Sequence, residues 1–221
     1  MTLGLFGGTF DPIHNGHLDV ARAARGALGL SEVWVVPARL PPHRSLPLAS
    51  AAHRFAMAAL AIVDDDGLVL SDLEMDTDGP SYTTHTLDRL TERGVDTRAL
   101  CLITGADAFL DIRSWKDYPQ LLNRCHFAVV SRPGTSALTL PSALPDLAGR
   151  MEPATPVPPS RPRILLDDAP TAPVSSTDVR RARAAGQSLA GLVPPAVAAY
   201  IDRHALYAPR RGARDASEAT A

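Results

Sequence analysis

The sequence predicts a doubly wound α/β domain: a parallel sheet covered by helices on both faces, with a small helical region at its C-terminal end. Three observations carry this. Short apolar runs alternate with segments of helical period along most of the chain. The first apolar run passes through a glycine-rich turn straight into a helix, and parallel sheets bind their ligands beyond the carboxyl ends of such strands. The last two periodic segments are short helices with no strand after them.

Each element follows from local pattern. "LGLFG" (3–7) reads as a short buried strand, and the segment after it as a helix to about Leu28 with Gly29 as its stop. "EVWVVPA" (32–38) is a second strand. "PPHRSLPLAS" is a polar, proline-bearing loop, and "AAHRFAMAALAIV" (51–63) is a helix that Ser50 caps. "LVLSDLE" (68–74) reads as a third strand and "YTTHTLDRLTERG" (82–94) as a helix ended by Gly94. "ALCLITG" (99–105) is continuously apolar, as a central parallel strand should be. A helical stretch follows near 114–123, then a strand in "HFAVVSR" (126–132). Residues 133–162 hold eight prolines and predict an irregular surface excursion with at most one helical turn. "RILLDD" (163–168) resumes the sheet, and "STDVRRARAAG" and "PPAVAAYIDRHAL" are the closing helices. Residues 1–207 thus form one domain, and 208–221 a small, charged tail expected to be disordered.

Composition narrows the classes. Apolar residues make up 45% and charged residues 21% of the chain, ordinary for a globular protein. A formal net charge of −2 gives no bulk attraction to nucleic acid or an anionic membrane, so neither is expected as a partner. No apolar run approaches the roughly 20 residues of a membrane span. The start of the chain carries no basic region or signal-like core, which predicts a cytoplasmic protein. Cys101 and Cys125 lie in strand-like runs and read as buried free thiols.

The candidate site begins at "GGTFDPIHNGH" (7–17). Gly7 and Gly8 let the backbone turn sharply and approach a ligand. The following helix start offers unpaired N–H groups and a positive dipole end, which suit phosphate. Neither a Walker A loop nor a GxGxxG fingerprint is present. His14 and His17 are spaced i, i+3 and share a face. Three readings fit them: backbone caps, metal ligands, or donors to a phosphoryl group gaining charge in its transition state. A second motif, "VSSTDVR" (174–180), follows the "RILLDD" strand, and its Ser175 and Asp178 fit a capping box. Alone it marks a capped helix; paired with the first motif it reads as a second phosphate contact.

Residues 7–17 resemble the HxGH signature of the nucleotidylyltransferase superfamily, in which the two histidines hold the ATP triphosphate and the reacting phosphorus. Ser175, Ser176, Thr177 and Arg180 match that superfamily's ISSTxxR motif one for one. The resemblance implies the superfamily's Rossmann-like fold. It gives catalytic roles to His14, His17 and Arg180 and ATP contacts to Gly7, Gly8, Thr9, Phe10, Gly16, Gly105, Asp107, Ser175, Ser176 and Thr177. "PARLPPHRS" (37–45), "GPSYTTHTL" (79–87), "ITGADAFLDIRSWKDY" (103–118), "VVSRPG" (129–134) and "VPPAVAAYIDRHALY" (193–207) resemble, in that order, segments of bacterial nicotinate-nucleotide adenylyltransferases. That resemblance implies adenylyl transfer from ATP to nicotinate mononucleotide, giving deamido-NAD and pyrophosphate. It also implies Mg²⁺ carried by the phosphates with no direct protein ligand. Arg44, Thr83, Thr84, Trp115, Lys116 and Arg132 fall where that family contacts the mononucleotide.

From the residues alone, Trp115 reads either as packing or as a face for a pyridine ring. Thr83 and Thr84 read as helix caps or as ligand contacts. Asp107 reads as a solvated charge or a ribose or magnesium-shell acceptor, and Arg44 as a surface residue or a phosphate donor. The chain departs from relatives at Ala38 and Arg39, in a stretch that often carries asparagine, and at Lys116, where some place an aromatic residue. Transfer to nicotinamide mononucleotide or phosphopantetheine, or ATP or NAD sensing without turnover, are the rival readings. A homo-oligomer is compatible with the sequence.

Overall fold

Side chains on successive strand residues point to opposite faces, so a strand buried on both faces must be apolar at every position. The central strands meet this requirement. In the computed structural model, which describes residues 3–42, 46–76, 78–156 and 161–208, seven parallel strands form one sheet in the order β3-β2-β1-β4-β5-β7-β6. The strands are β1 (Leu3–Gly8), β2 (Glu32–Pro37), β3 (Leu68–Leu70), β4 (Leu100–Gly105), β5 (His126–Val130), β6 (Met151–Pro153) and β7 (Ile164–Asp167). The helices are α1 (Asn15–Leu28), α2 (Ala51–Ile62), α3 (Thr83–Glu92), the single turns α4 (Ala106–Phe109) and α5 (Leu140–Ala143), then α6 (Ser176–Ala184) and α7 (Pro195–Arg203). Among the described residues no helix is long and apolar enough to cross a membrane.

Two cores sandwich the sheet. Phe6, Ile103 and Val130 face one side, with Ile13, Leu18, Met57, Val197 and Ile201 from α1, α2, α7 and the first loop. Leu5, Leu102 and Phe127 face the other, with Leu87, Leu90, Phe109, Ile112 and Leu121. The chain winds outward from β1 to β2 and β3, then returns to lay β4 on the other side of β1. The strand order therefore reverses between β1 and β4, and a crevice opens beyond their carboxyl ends, at Gly8 and Gly105.

Three expectations are corrected. The third strand stops at Leu70 because Leu73 and Glu74 lie in a turn. The helical stretch near 114–123 is broken into two 3₁₀ turns, Ile112–Ser114 and Gln120–Asn123, with Pro119 between them. Proline lacks the N–H that a continuous helix would need there. The largest correction concerns the proline-rich segment, which in its described part is a built element and not an irregular excursion. Ala137, Leu140, Leu144 and Leu147 are buried in the second core, and β6 pairs with β7 at the sheet edge. Its prolines sit where prolines are tolerated. Pro141 lies in the first turn of α5 and Pro153 ends the edge strand. Proline count measured local rigidity, and residues 157–160 and 209–221, including most of the expected tail, lie outside the described residues.

Candidate active site

A cleft of about 500 Å³ opens at the β1–β4 switch point. Its walls include Gly7, Gly8, Thr9, Phe10, His14 and His17 from the first motif and Ser175, Ser176, Thr177 and Arg180 from the second. Gly105, Asp107, Thr83, Trp115, Lys116 and Arg132 complete the expected set on its walls. Gly16 and Thr84 stand just behind the walls, and Arg44 lies outside the described residues.

The first motif is shaped by its histidines. His14 is the N-cap of α1, and its ring stacks on that of His17 with centroids 3.6 Å apart. Phe10 meets His17 edge-on at 5.0 Å. The His14 backbone N–H donates to His17 Nδ1 at 3.2 Å. An accepting Nδ1 carries no proton, so the neutral His17 ring carries its proton on Nε2 and is a donor there. His14 is 1% exposed, and its buried Nδ1 has no hydrogen-bond partner. Burial first, then the nearby Arg132 charge, lower its pKa from 6.5 to about 3, against a weaker pull from Asp178. His14 is therefore neutral at physiological pH, so the site presents two neutral imidazoles and not a pair of cations.

Gly16 explains the tight entry to α1. A Cβ there would come within 2.8 Å of Arg132 Nη1 and 3.0 Å of the Ala172 carbonyl. Arg132 uses that approach: its Nη1 donates to the Gly16 carbonyl at 2.9 Å and its Nη2 to the Val174 carbonyl at 3.2 Å. It ties one motif to the other.

The second motif is a capping box, as its spacing predicts. Asp178 N–H donates to Ser175 Oγ at 3.2 Å, and Ser175 N–H to Asp178 Oδ2 at 3.0 Å. The motif also reaches across the sheet end. Ser176 Oγ donates to the Pro12 carbonyl at 2.9 Å, and Arg180 Nη1 to the Asp11 carbonyl at 2.6 Å. Arg180 Nη2 also donates to Thr177 Oγ1 at 3.0 Å.

At the other end of the cleft, Trp115 is half-buried, tilted over Phe127 at 6.5 Å between centroids, and still part of the cleft wall. Both of its sequence readings thus describe the same ring. Thr84 is buried, and its hydroxyl donates to Asp117 Oδ2 at 2.7 Å, so its side chain serves the fold.

Three participants were not singled out from sequence. Arg54 is 1% exposed and donates to the carbonyls of Thr9 and Ala38, both at 2.6 Å, and of Arg39 at 2.9 Å. Its signal was present: Arg54, Met57, Ala58 and Ala61 form one helical stripe, and a charge on an apolar stripe needs a buried partner. Glu74 lines the cleft and accepts from the Thr86 hydroxyl; burial holds its carboxyl above the usual range. Tyr82 caps α3 beside it and gave no separate signal.

Residues 5–182 match the family model described as cytidylyltransferase-like. A probable nicotinate-nucleotide adenylyltransferase from Roseiflexus sp. (strain RS-1) is 41% identical over 93% of this chain and 97% of its own length. One of the same description from Aeromonas hydrophila is 40% identical over 94% and 97%. The chain belongs to the nicotinate-nucleotide adenylyltransferase family. Its fold is also that of a solved nicotinic acid mononucleotide adenylyltransferase from Plasmodium falciparum complexed with NaAD. That match has a TM-score of 0.73 at 22% identity and covers 93% of this chain and 96% of the other.

For a nicotinate-nucleotide adenylyltransferase fold built around His14, acid should be damaging. Between about pH 6.5 and 3 the unfolded chain binds a proton at this ring that the folded chain refuses, so stability is present above that window and falls as pH drops through it. The loss attributable to His14 should reach about 2 kcal/mol between about pH 6.5 and 4.5. Thermal melts of His14→Gln should show a flatter dependence of Tm on pH over that range than the parent. Parallel curves would mean that the folded ring takes up the proton.

Proposed function

We propose that the cleft transfers the adenylyl group of ATP to nicotinate mononucleotide, releasing pyrophosphate and forming deamido-NAD. The observation that carries this reading is the direct joining of two phosphate-type motifs at a topological switch point, Arg180 and Ser176 bonding to the Asp11–Pro12 backbone. Relatives of about 40% identity over more than nine-tenths of the chain, described as probable enzymes of this activity, support the choice of acceptor.

The chemistry needs no nucleophilic side chain. The phosphate of the mononucleotide is an anionic nucleophile, and it attacks the α-phosphorus of ATP as the bond to pyrophosphate breaks. The chain's part is alignment and charge stabilisation. The start of α1 turns its positive dipole end toward the triphosphate. His17, with its proton on Nε2, donates to the α-phosphate as charge builds there. Ser175, Ser176, Thr177 and Arg180 hold the outer phosphates from the opposite wall. Trp115 supplies a face for the pyridine ring.

Mg²⁺ would supply charge neutralisation on the triphosphate. Among the described residues no group of three or more histidine, cysteine or acidic side chains is placed to hold a metal. Asp107 and Asp111 lie on the cleft wall. That donor set suits an ion that arrives on the phosphates and keeps most of its waters.

Purified protein with ATP and Mg²⁺ is expected to release pyrophosphate with nicotinate mononucleotide in preference to phosphopantetheine. His17→Ala should lower kcat by about 10² to 10³ with folding intact, as loss of a single transition-state donor does. A preference for phosphopantetheine, or no pyrophosphate with any acceptor, would overturn the assignment.

Trp115 gives a second test. A stacking face acts before and during the transition state, so Trp115→Phe should raise KM for nicotinate mononucleotide several-fold and leave KM for ATP nearly unchanged. Equal changes in both constants would assign the ring to packing alone.

A further inference from the structure

Two histidines meet away from the cleft, where α2 and α7 pack side by side. His53 lies in the first turn of α2, and His204 is the residue that ends α7. Their ring centres are 5.2 Å apart, with the planes inclined at 59°. Tyr200, one turn before His204, completes the group. Its hydroxyl is 3.0 Å from His53 Nδ1, and its ring centre lies 4.2 Å from that of His204. His53 and Tyr200 are half-buried, and His204 is exposed. None of the three stands on the cleft wall.

With a metal–nitrogen bond of about 2.0–2.1 Å and a tetrahedral angle, two imidazoles on one ion have their centres about 5 Å apart. The separation of His53 and His204 meets that value. His14 and His17, stacked at 3.6 Å between centres, are too close together to share an ion in this way. The bond to Tyr200 is a second, independent point. A metal-bound imidazole gives its other N–H to an oxygen, which fixes both ring and tautomer. The Tyr200 oxygen stands at Nδ1 of His53, which leaves Nε2 of that ring for an ion. The His204 ring makes no hydrogen bond among the described residues, so both of its nitrogens are uncommitted. Its exposure gives an ion a path from solvent.

We propose that His53 and His204 bind one first-row transition ion, of the class of zinc(II), and that this ion braces α2 against α7. Imidazole suits zinc, copper and nickel, and not magnesium, so the site is chemically separate from the ion carried by ATP. Two protein nitrogens leave the other positions to water, which makes the ion exchangeable, unlike one in a closed four-ligand site. The brace bears on the cleft through its neighbours in the chain. Arg54, next to His53, donates to the carbonyls of Thr9, Ala38 and Arg39. Tyr207, in the segment after His204, donates to Asp11. A bound ion fastens together the two elements that carry these contacts.

The experiment is a calorimetric titration of the metal-free protein with zinc chloride, without nucleotide. The parent should bind one ion per chain at this pair. His204→Ala removes an exposed ring and should fold as the parent does, with zinc affinity about tenfold lower or less. His53→Ala should lose as much, while His85→Ala, which alters a histidine on α3, should bind as the parent does. Zinc should raise the Tm of the parent by a few degrees and leave that of His204→Ala unchanged, since an ion stabilises only the state that binds it. Copper(II) gives a direct count of ligands. Its electron paramagnetic resonance spectrum should show coupling to two imidazole nitrogens in the parent and one in His204→Ala. Absence of zinc binding by the parent overturns the inference. So does binding that His204→Ala retains at the affinity of the parent, or a copper spectrum that the substitution leaves unchanged.

Discussion

The site depends on satisfying the backbone of one irregular loop. Residues 9–14 run between a strand and a helix, and Phe10, Asp11, Pro12, Ile13 and His14 are buried. Carbonyl groups buried outside a helix or sheet must find donors or the loop will not hold its shape. Arginines supply them: Arg54 for Thr9 and Arg180 for Asp11, with Ser176 serving Pro12. Arg132 does the same for Gly16 one turn later. Each guanidinium presents several donors in a fixed fork, which lets one side chain hold two or three segments at a defined spacing. Arg54 bridges the loops after β1 and β2 through Thr9, Ala38 and Arg39.

Asp11 is the other half of that arrangement. Its carboxylate accepts from the N–H groups of Leu48 and Ala49, at 2.8 and 3.1 Å, and from the Tyr207 hydroxyl at 2.7 Å. Burial and the Asp11 charge push the Tyr207 phenol up, so it stays protonated as this bond requires. The same residue therefore joins the entry to α2, the segment after α7 and, through its carbonyl, Arg180. The C-terminal helices are part of the site for this reason. Without them the first loop would lose partners on two sides, although no side chain of α7 lies on the cleft wall.

Much of this was legible in the sequence, and unevenly so. Strands such as 99–105 announced themselves because burial on both faces demands an unbroken apolar run. The two phosphate-type motifs were legible because each is contiguous: its glycines, histidines or hydroxyls must follow one another to ride one strand-to-helix turn. The proline-rich segment was misread because local rigidity says nothing about tertiary burial, and Leu140, Leu144 and Leu147 are placed by contacts distant in sequence. Glu74 was missed for a related reason. It was counted as the last residue of a strand, whereas the chain turns at 73–75 and delivers its carboxyl to Thr86 on α3.

The two ends of the cleft differ in the same way. At the β1–β4 end, His17, Arg132 and Arg180 are fixed by hydrogen bonds to the main chain, and the His14 ring is held by burial and by stacking on His17. Such a surface is specified by geometry, and a side-chain change there disturbs the loop itself. The other end is assembled from the separate segments 81–83 and 114–116, where Lys116 lies over the Tyr82 ring and Trp115 is tilted over Phe127 of β5. Ser81 and Ser114 bond to main-chain groups of Leu40 and Asp111, whereas the side chains of Trp115 and Lys116 meet aromatic rings. Lys116 is exposed, outside any helix or strand, and bonded to no main-chain carbonyl among the described residues. A change at those two side chains can therefore leave in place the hydrogen bonds by which Arg54, Arg132 and Arg180 hold the loop after β1 and the entry to α1.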